Sequence, residues 1–227
     1  NPPFILGIGG GVCDVYQPVE RKVRITRHLL QIAYDYNIPV WILTKNDLVL
    51  RDLDLLKKIN QKCHVSVYFT ITLADDAEQK LFEPNASSTS ARFKAISILR
   101  KNNITTGVYF YPMLPFIGDR LENIQQIFNK AKAVGAQCIQ TAGLTLKPGK
   151  NRTEFLQIVK NHYPSLVPKY KQLYSNDNNY GLLDFRQATK LGLGFPEQLC
   201  FPFHYELNMN YITPRYIPVG KQHIKYN

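Results

Sequence analysis

Polar side chains of ligand-binding types recur just downstream of each short apolar run in the first half of this sequence. Cys13 and Asp14 follow the run from Phe4 to Gly9, and Lys45 and Asn46 follow Val40 to Thr44. Thr70 and Thr72 close the run that begins at Val65, and Asp119 follows Tyr111-Pro112-Met113-Leu114-Pro115 after the fourth. If such runs are parallel strands, their carboxyl ends share one rim, which is where ligands of α/β proteins bind. Lys45 is the most informative of these residues. An ammonium at the tip of a buried strand is costly unless it meets an anion or reaches water, so it suits a carboxylate or a phosphate. The plainer alternative is a solvated loop lysine. A further reading makes Lys45 the Schiff-base amine of a metal-free barrel enzyme of aldolase type. Asp14 and Glu83 have the chemistry to accept from ribose hydroxyls or amines, and equally to cap a turn or a helix.

Other site chemistries find no support. Gly7-Ile8-Gly9-Gly10 echoes a dinucleotide loop, but a helix should then start at once, whereas Pro18 intervenes and helical spacing begins near Arg24. There is no G-x-S-x-G, H-E-x-x-H or P-loop. His28 and His64 fall away from the expected rim, and His162, His204 and His223 lack metal-ligand spacing. Cys13, Cys63, Cys138 and Cys200 form no C-x-x-C group, which suits isolated thiols in a reducing, cytoplasmic setting. No apolar run approaches the roughly 20 residues of a membrane span. The net charge of +11 favours anionic partners, nucleic acid among them, although no Lys/Arg block of five or more occurs.

The elements that must position these residues follow from hydrophobic period. Strands are expected at 4–9, 40–44, 65–72, 107–111 and 138–141, and helices at 24–36, 53–61, 91–101 and 121–134. Strand–helix units in series imply parallel strands joined by right-handed crossovers. The near-continuous apolar runs suggest strands covered on both faces. A doubly wound sheet and a barrel both satisfy this pattern. After Gly143 the period breaks. Pro148-Gly149-Lys150 reads as a turn and 152–171 as helix interrupted by Pro164 and Pro168. The expected organisation is 1–143 as the α/β body and 144–227 as a helical and irregular extension packed on it.

Several of the strand-end segments resemble a known family. Asp14-Val15-Tyr16-Gln17-Pro18-Val19-Glu20 with Ile25-Thr26-Arg27 is similar to the D-P-Y-Q-P-x-E … L-T-R stretch of spore photoproduct lyase-like radical S-adenosylmethionine proteins. Thr44-Lys45-Asn46 with Arg51-Asp52-Leu53-Asp54-Leu55-Leu56 resembles their T-K-S … R-D-x-D-L-L segment. Glu83-Pro84-Asn85-Ala86 with Arg92 resembles E-P-x-A-P … R, and Pro112-Met113-Leu114-Pro115 with Asp119 resembles P-x-x-P … N-D. The blocks keep the family's order between about residues 4 and 143.

The resemblance implies a partial (β/α)6 TIM-like barrel in which the first strand here corresponds to the family's second, the first strand–loop unit being missing. It implies S-adenosylmethionine as ligand and a [4Fe–4S] cluster that cleaves it to a 5′-deoxyadenosyl radical. Lys45 and Thr70 match positions that contact the ligand, and Cys13 with Asp14 occupies a strand end beside it. The family's C-x-x-x-C-x-x-C cluster motif is absent from these 227 residues, and the position of the lesion-repair enzyme's hydrogen-donating cysteine is Gly11. A non-catalytic barrel that binds S-adenosylmethionine or nucleic acid is therefore the alternative expectation.

Overall fold

Short runs rich in β-branched and aromatic residues become strands, and runs with apolar residues three and four apart become helices. The computed structural model describes residues 4–10, 13–174 and 200–202. The strands are β1 (Leu6–Ile8), β2 (Val40–Thr44), β3 (Val65–Thr70), β4 (Thr105–Met113), β5 (Cys138–Gly143) and β6 (Cys200–Pro202). The helices are α1 (Glu20–Val23), α2 (Ile25–Asp35), α3 (Leu53–Lys62) and α4 (Asp76–Phe82), then α5 (Thr89–Lys101), α6 (Leu121–Ala133), α7 (Lys150–His162) and α8 (Val167–Leu173). Gly11, His204, His223 and the expected tail segments 175–199 and 203–227 lie outside the described residues.

All the strands and helices expected from period form, with informative differences. α5 starts two residues early because the Ser88 hydroxyl accepts from the Ala91 N–H at 3.2 Å, a cap that apolar spacing does not register. α4 was not expected. It is short and starts where the Asp75 carboxylate accepts from the Glu78 N–H at 2.8 Å. Pro168 does not interrupt a helix; it sits in the first turn of α8, where its missing N–H has no partner to lose.

The strands lie in the order β1-β2-β3-β4-β5-β6, with β1 to β5 parallel and β6 antiparallel to β5. Each parallel strand neighbours its successor in the chain, with no reversal of order. That is the winding of a barrel, not of a doubly wound sheet with a switch point. The packing agrees: Ile8, Ile42, Val67, Phe69, Val108 and Ile139 on one sheet face share a core with Leu30, Leu56, Ile59, Ile96 and Ile127 of the helices. The protein is an α/β fold with the architecture of a partial TIM-like barrel.

The opposite sheet face corrects the expectation of apolar cover on both sides. Register places Gly7 beside Trp41, Trp41 beside Ser66, Tyr68 beside Gly107, Thr70 beside Tyr109, and Tyr109 beside Gln140. Paired residues of adjacent strands share a face, so this inner surface is aromatic and polar. Its rings pack in sequence, Tyr68 to Tyr109 at 5.0 Å and Tyr109 to Tyr111 at 4.7 Å between centroids, with Trp41 5.9 Å from Tyr109. Gly107 makes room for them. A Cβ there would stand 2.6 Å from the Tyr68 ring and 2.8 Å from the Cys138 Sγ.

A second cluster joins Leu73, Leu114, Ile117, Leu144 and Leu146 to Val159, Tyr170 and Leu173 of α7 and α8. The Tyr174 hydroxyl donates to Leu144 O at 2.9 Å, and Tyr170 donates to Pro115 O. No helix among the described residues is long and apolar enough to cross a membrane.

Candidate ligand site at the strand-end rim

The carboxyl end of β1 is tied to that of β2 by one side chain. Asp14 Oδ1 accepts from the Thr44 hydroxyl at 2.7 Å and from the Tyr16 N–H at 2.8 Å, while Oδ2 accepts from the Lys45 N–H at 2.5 Å. Asp14 therefore caps its own turn and clamps the next strand end at once. Cys13 beside it is exposed.

Lys45 continues the strand alternation of Trp41 and Leu43, which sends its side chain toward the inner face of the rim. Its ammonium lies 2.7 Å from Glu83 Oε1, and Glu83 Oε2 lies 2.6 Å from Arg92 Nη2. The anion that a strand-tip lysine requires is thus supplied within the chain. Lys45 keeps 38% of its side-chain surface exposed, whereas Arg92 is fully buried. Burial alone would raise the Glu83 carboxyl, but Lys45 and Arg92 outweigh it and hold the group below its usual range. Arg92 also donates to Thr70 O and Ser87 O, both at 2.8 Å. The Ser87 N–H in turn donates to Lys45 O at 3.2 Å. Asp14, Lys45, Glu83, Arg92 and the Thr70 backbone consequently form one bonded line across β1, β2 and β3. Of the residues singled out from sequence, Asp14, Lys45 and Thr70 come together, and Cys13 stands next to them.

The loop that carries Cys13 and Asp14 is braced from behind by a second network. Asp52, fully buried, accepts from Arg27 at 2.9 Å, from Arg51 at 2.7 and 3.0 Å, and from the Tyr16 hydroxyl at 3.2 Å. Glu20 accepts the Ile25 and Thr26 N–H groups that open α2, at 2.9 and 3.1 Å, and pairs with Arg51 at 2.9 Å. The Thr26 hydroxyl donates to Val15 O at 2.7 Å. Burial first, and then the Asp52 carboxylate, push the Tyr16 phenol far up, so it serves as a neutral donor. Tyr16, Glu20, Thr26, Arg27, Arg51 and Asp52 also belong to the family-like segments, and here they act as scaffold.

Asp119 lies beyond β4. Burial pushes its carboxyl up to about 6, against the pull of the Phe116 and Asp119 N–H groups and Arg120. An acid whose folded pKa is raised stabilises the fold at low pH and loses that contribution as pH rises through the folded value. Stability is expected to fall between about pH 4 and pH 6 for this reason. Asp119→Asn should remove that slope and gain about 1–2 kcal/mol at neutral pH, after discounting for partial exposure. Urea titrations of both proteins across the range check it, and parallel curves would refute the assignment.

The inner-face residues Trp41, Ser66, Tyr68, Tyr109, Tyr111 and Gln140 form an aromatic and polar surface that apolar-run reading overlooked. Their signal is the two-residue alternation in Val65-Ser66-Val67-Tyr68 and Val108-Tyr109-Phe110-Tyr111. Burial, with the neighbouring Tyr109, pushes the Tyr111 phenol up to about 12.

Fit to the implied cofactors divides. Among the described residues no group of three or more His, Cys, Asp or Glu side chains is placed to hold a metal ion. Cys13 follows β1 at its carboxyl end, whereas Cys63 precedes β3 and Cys138 opens β5, both at amino ends. Thiolates of one iron–sulfur cluster must converge within a few ångströms, so these cysteines do not fit a cluster. An amino-acid carboxylate does fit the rim. Lys45 spends one donor on Glu83 and retains two.

No protein-family model matches the chain. Uncharacterized proteins of Mycobacterium tuberculosis and Mycobacterium bovis are 29% identical over 161 residues, which is 71% of this chain and 47% of theirs. An uncharacterized protein of Methanocaldococcus jannaschii is 35% identical over 108 residues, 48% of this chain and 40% of that protein. The chain thus spans about half the length, or less, of these relatives. A solved structure of a spore photoproduct lyase point mutant superposes with a TM-score of 0.48 at 14% identity, over 72% of this chain and 47% of the other.

Proposed function

We propose that the rim of β1 to β3 binds the methionyl end of S-adenosylmethionine, and that the chain is the barrel portion of a spore photoproduct lyase-like radical S-adenosylmethionine enzyme whose cluster ligands lie outside the described residues. One observation carries the reading. The segments whose motifs resemble that family converge at one rim, where Asp14, Lys45 and Thr70 join a single line of bonds. The chemistry the ligand supplies in that family is a 5′-deoxyadenosyl group for hydrogen abstraction.

The residues of this chain bind and orient. Glu83, held from behind by Arg92, fixes the Lys45 ammonium so that its two remaining N–H donors meet the ligand carboxylate. Pre-ordering of a long side chain reduces the entropy lost on binding. Asp14 keeps the β1 and β2 ends in contact, and Thr70 stands on the inner face beside the aromatic ladder.

Lys45→Ala is expected to weaken S-adenosylmethionine binding at least ~10-fold, equivalent to about 1.4 kcal/mol. Glu83 keeps Arg92 as partner in this variant, so the fold persists. Affinity for 5′-methylthioadenosine, which lacks the methionyl carboxylate, should not change. Calorimetric titration of both ligands decides the point, and equal losses for both, or none for either, would remove Lys45 from the site.

A further inference from the structure

Glu83, the anion that holds Lys45, is fixed at two points. Its Oε2 meets Arg92, which is anchored independently on Thr70 O and Ser87 O. Its backbone closes the C-terminal end of α4. The Glu83 N–H donates to Gln79 O at 2.9 Å, and the Gln79 amide returns to Glu83 O at 3.2 Å and Oε2 at 3.3 Å. Where Oε1 points therefore depends on where α4 lies. A helix of seven residues does not hold itself in water, so its place is set by packing.

α7 and the turn after it provide that packing. Phe82, next to Glu83, lies 5.5 Å from Phe155 and is stacked on Tyr163 at 6.2 Å between ring centroids. One turn earlier, Glu78 accepts from the Tyr163 hydroxyl at 2.6 Å and from Arg120 at 2.6 and 2.7 Å. Burial first, and then Glu78, push the Tyr163 phenol up, so it stays a neutral donor. Glu78 and Phe82 are four residues apart and share one side of α4, while Gln79 and Glu83 share the adjoining side. α4 is thus gripped by α7 on one flank and by Arg92 on the next. The α7–α8 pair is itself seated on the far half of the rim, through Tyr170 on Pro115 O and Tyr174 on Leu144 O.

We propose that Phe155 and Tyr163 are positioning residues for the Lys45 ammonium: through Phe82 and Glu78 they set the place of α4, and with it the direction in which Glu83 presents Lys45 to a ligand carboxylate. Neither residue touches the ligand. Arg92 keeps one carboxylate oxygen in any case, so a loosened α4 changes the aim of the other oxygen without breaking the buried pair. The binding part of this inference rests on the reading of the rim given above, whereas the hold on Glu83 rests on the fold alone.

The test uses the natural full-length polypeptide with two mild substitutions. Tyr163→Phe keeps the ring and removes the donor to Glu78, and Phe155→Leu keeps an apolar side chain but removes the ring beside Phe82. The double variant is expected to bind S-adenosylmethionine ~3–10-fold more weakly and 5′-methylthioadenosine as the parent does. In a Lys45→Ala background the same substitutions should change affinity less than ~2-fold, because the group they position is gone. Glu83 gives a readout that needs no ligand. Its side-chain carboxyl carbon, followed by NMR against pH, should titrate at higher pH in the double variant, since Lys45 no longer sits against it. Tyr163→Phe alone, which removes no apolar surface, should move both readouts the same way by a smaller step. Affinity unchanged or equally reduced for both ligands, a loss that persists without Lys45, or an unmoved Glu83 titration overturns the proposal. A parent that binds neither ligand overturns the rim reading instead, and the Glu83 titration then decides the positioning by itself.

Discussion

Arg92→Met is expected to cost about 3–5 kcal/mol of stability, the usual consequence of breaking a buried ion pair from one side. Methionine fills much of the volume but returns none of the donors. The carbonyls of Thr70 and Ser87 lose their partner, and Glu83 keeps one cation, the half-exposed Lys45, with a 3.3 Å hydrogen bond from Gln79. The guanidinium ties the segment 83–88 to the β3 end, while Ser87 with Asp47 and Lys45 ties it to the β2 end, so local loosening on the β3 side should accompany the global loss. Glu83→Gln should cost less, because a neutral amide still accepts from Arg92. The double variant should cost less than the sum of the singles, since the pair shares one interaction. The lowered Glu83 pKa adds a pH signature. Its stabilisation is present above the unfolded carboxylate pKa and disappears as pH falls through the lower folded value, so acid unfolding should be shallower in either variant. Chemical denaturation at pH 7 and pH 3 measures both effects, and a loss under ~1 kcal/mol for Arg92→Met would show that the hub is dispensable.

Asp52→Ala is expected to be comparably severe, about 3–5 kcal/mol, with a functional consequence. Two arginines and a neutral phenol converge on this carboxylate, which has no solvent exposure. Its removal leaves positive charge facing a buried void and frees Tyr16, and with it the turn that holds Asp14 against Lys45. Ligand affinity at the rim should fall with stability, although Asp52 touches no ligand. Asp54 is the internal control. It takes a bidentate contact from Arg27 at 2.8 and 2.9 Å, which lowers its pKa to about 2, yet it is 54% exposed. Exposed pairs contribute about 0–1 kcal/mol, so Asp54→Ala should be mild and should leave ligand binding intact. Thermal melts and ligand titrations on the two variants separate these cases, and equal costs would mean that burial is not what makes Asp52 matter.

The two networks explain why family-like spacing can be strong while site chemistry stays sparse. Tyr16, Glu20, Thr26, Arg27, Arg51 and Asp52 hold one loop in place, so the spacing reports the scaffold more than the reacting groups. Asp14, Lys45 and the Glu83–Arg92 pair, with Thr70 beside them, form the bonded line at the rim itself.

Local physics made the elements legible in the sequence. Apolar residues three and four apart mark α2, α3, α5 and α6, runs of β-branched and aromatic residues mark β1 to β5, and their alternation implies parallel strands with a functional carboxyl end. These signals arise from contacts close in sequence, and they place Cys13, Asp14, Lys45 and Thr70 at strand ends without coordinates. Only the tertiary structure decided the rest. Strand order distinguished a barrel from a doubly wound sheet, and register revealed Trp41, Tyr68 and Tyr109 as one inner face. Three-dimensional packing gave Lys45 its counter-ion in Glu83 and made Arg92, which the sequence offers only as the end of a family-like segment, the buried centre of the rim. Such pairings join residues far apart in the chain. Their energy depends on which strands neighbour which, and a one-dimensional period carries no trace of that choice.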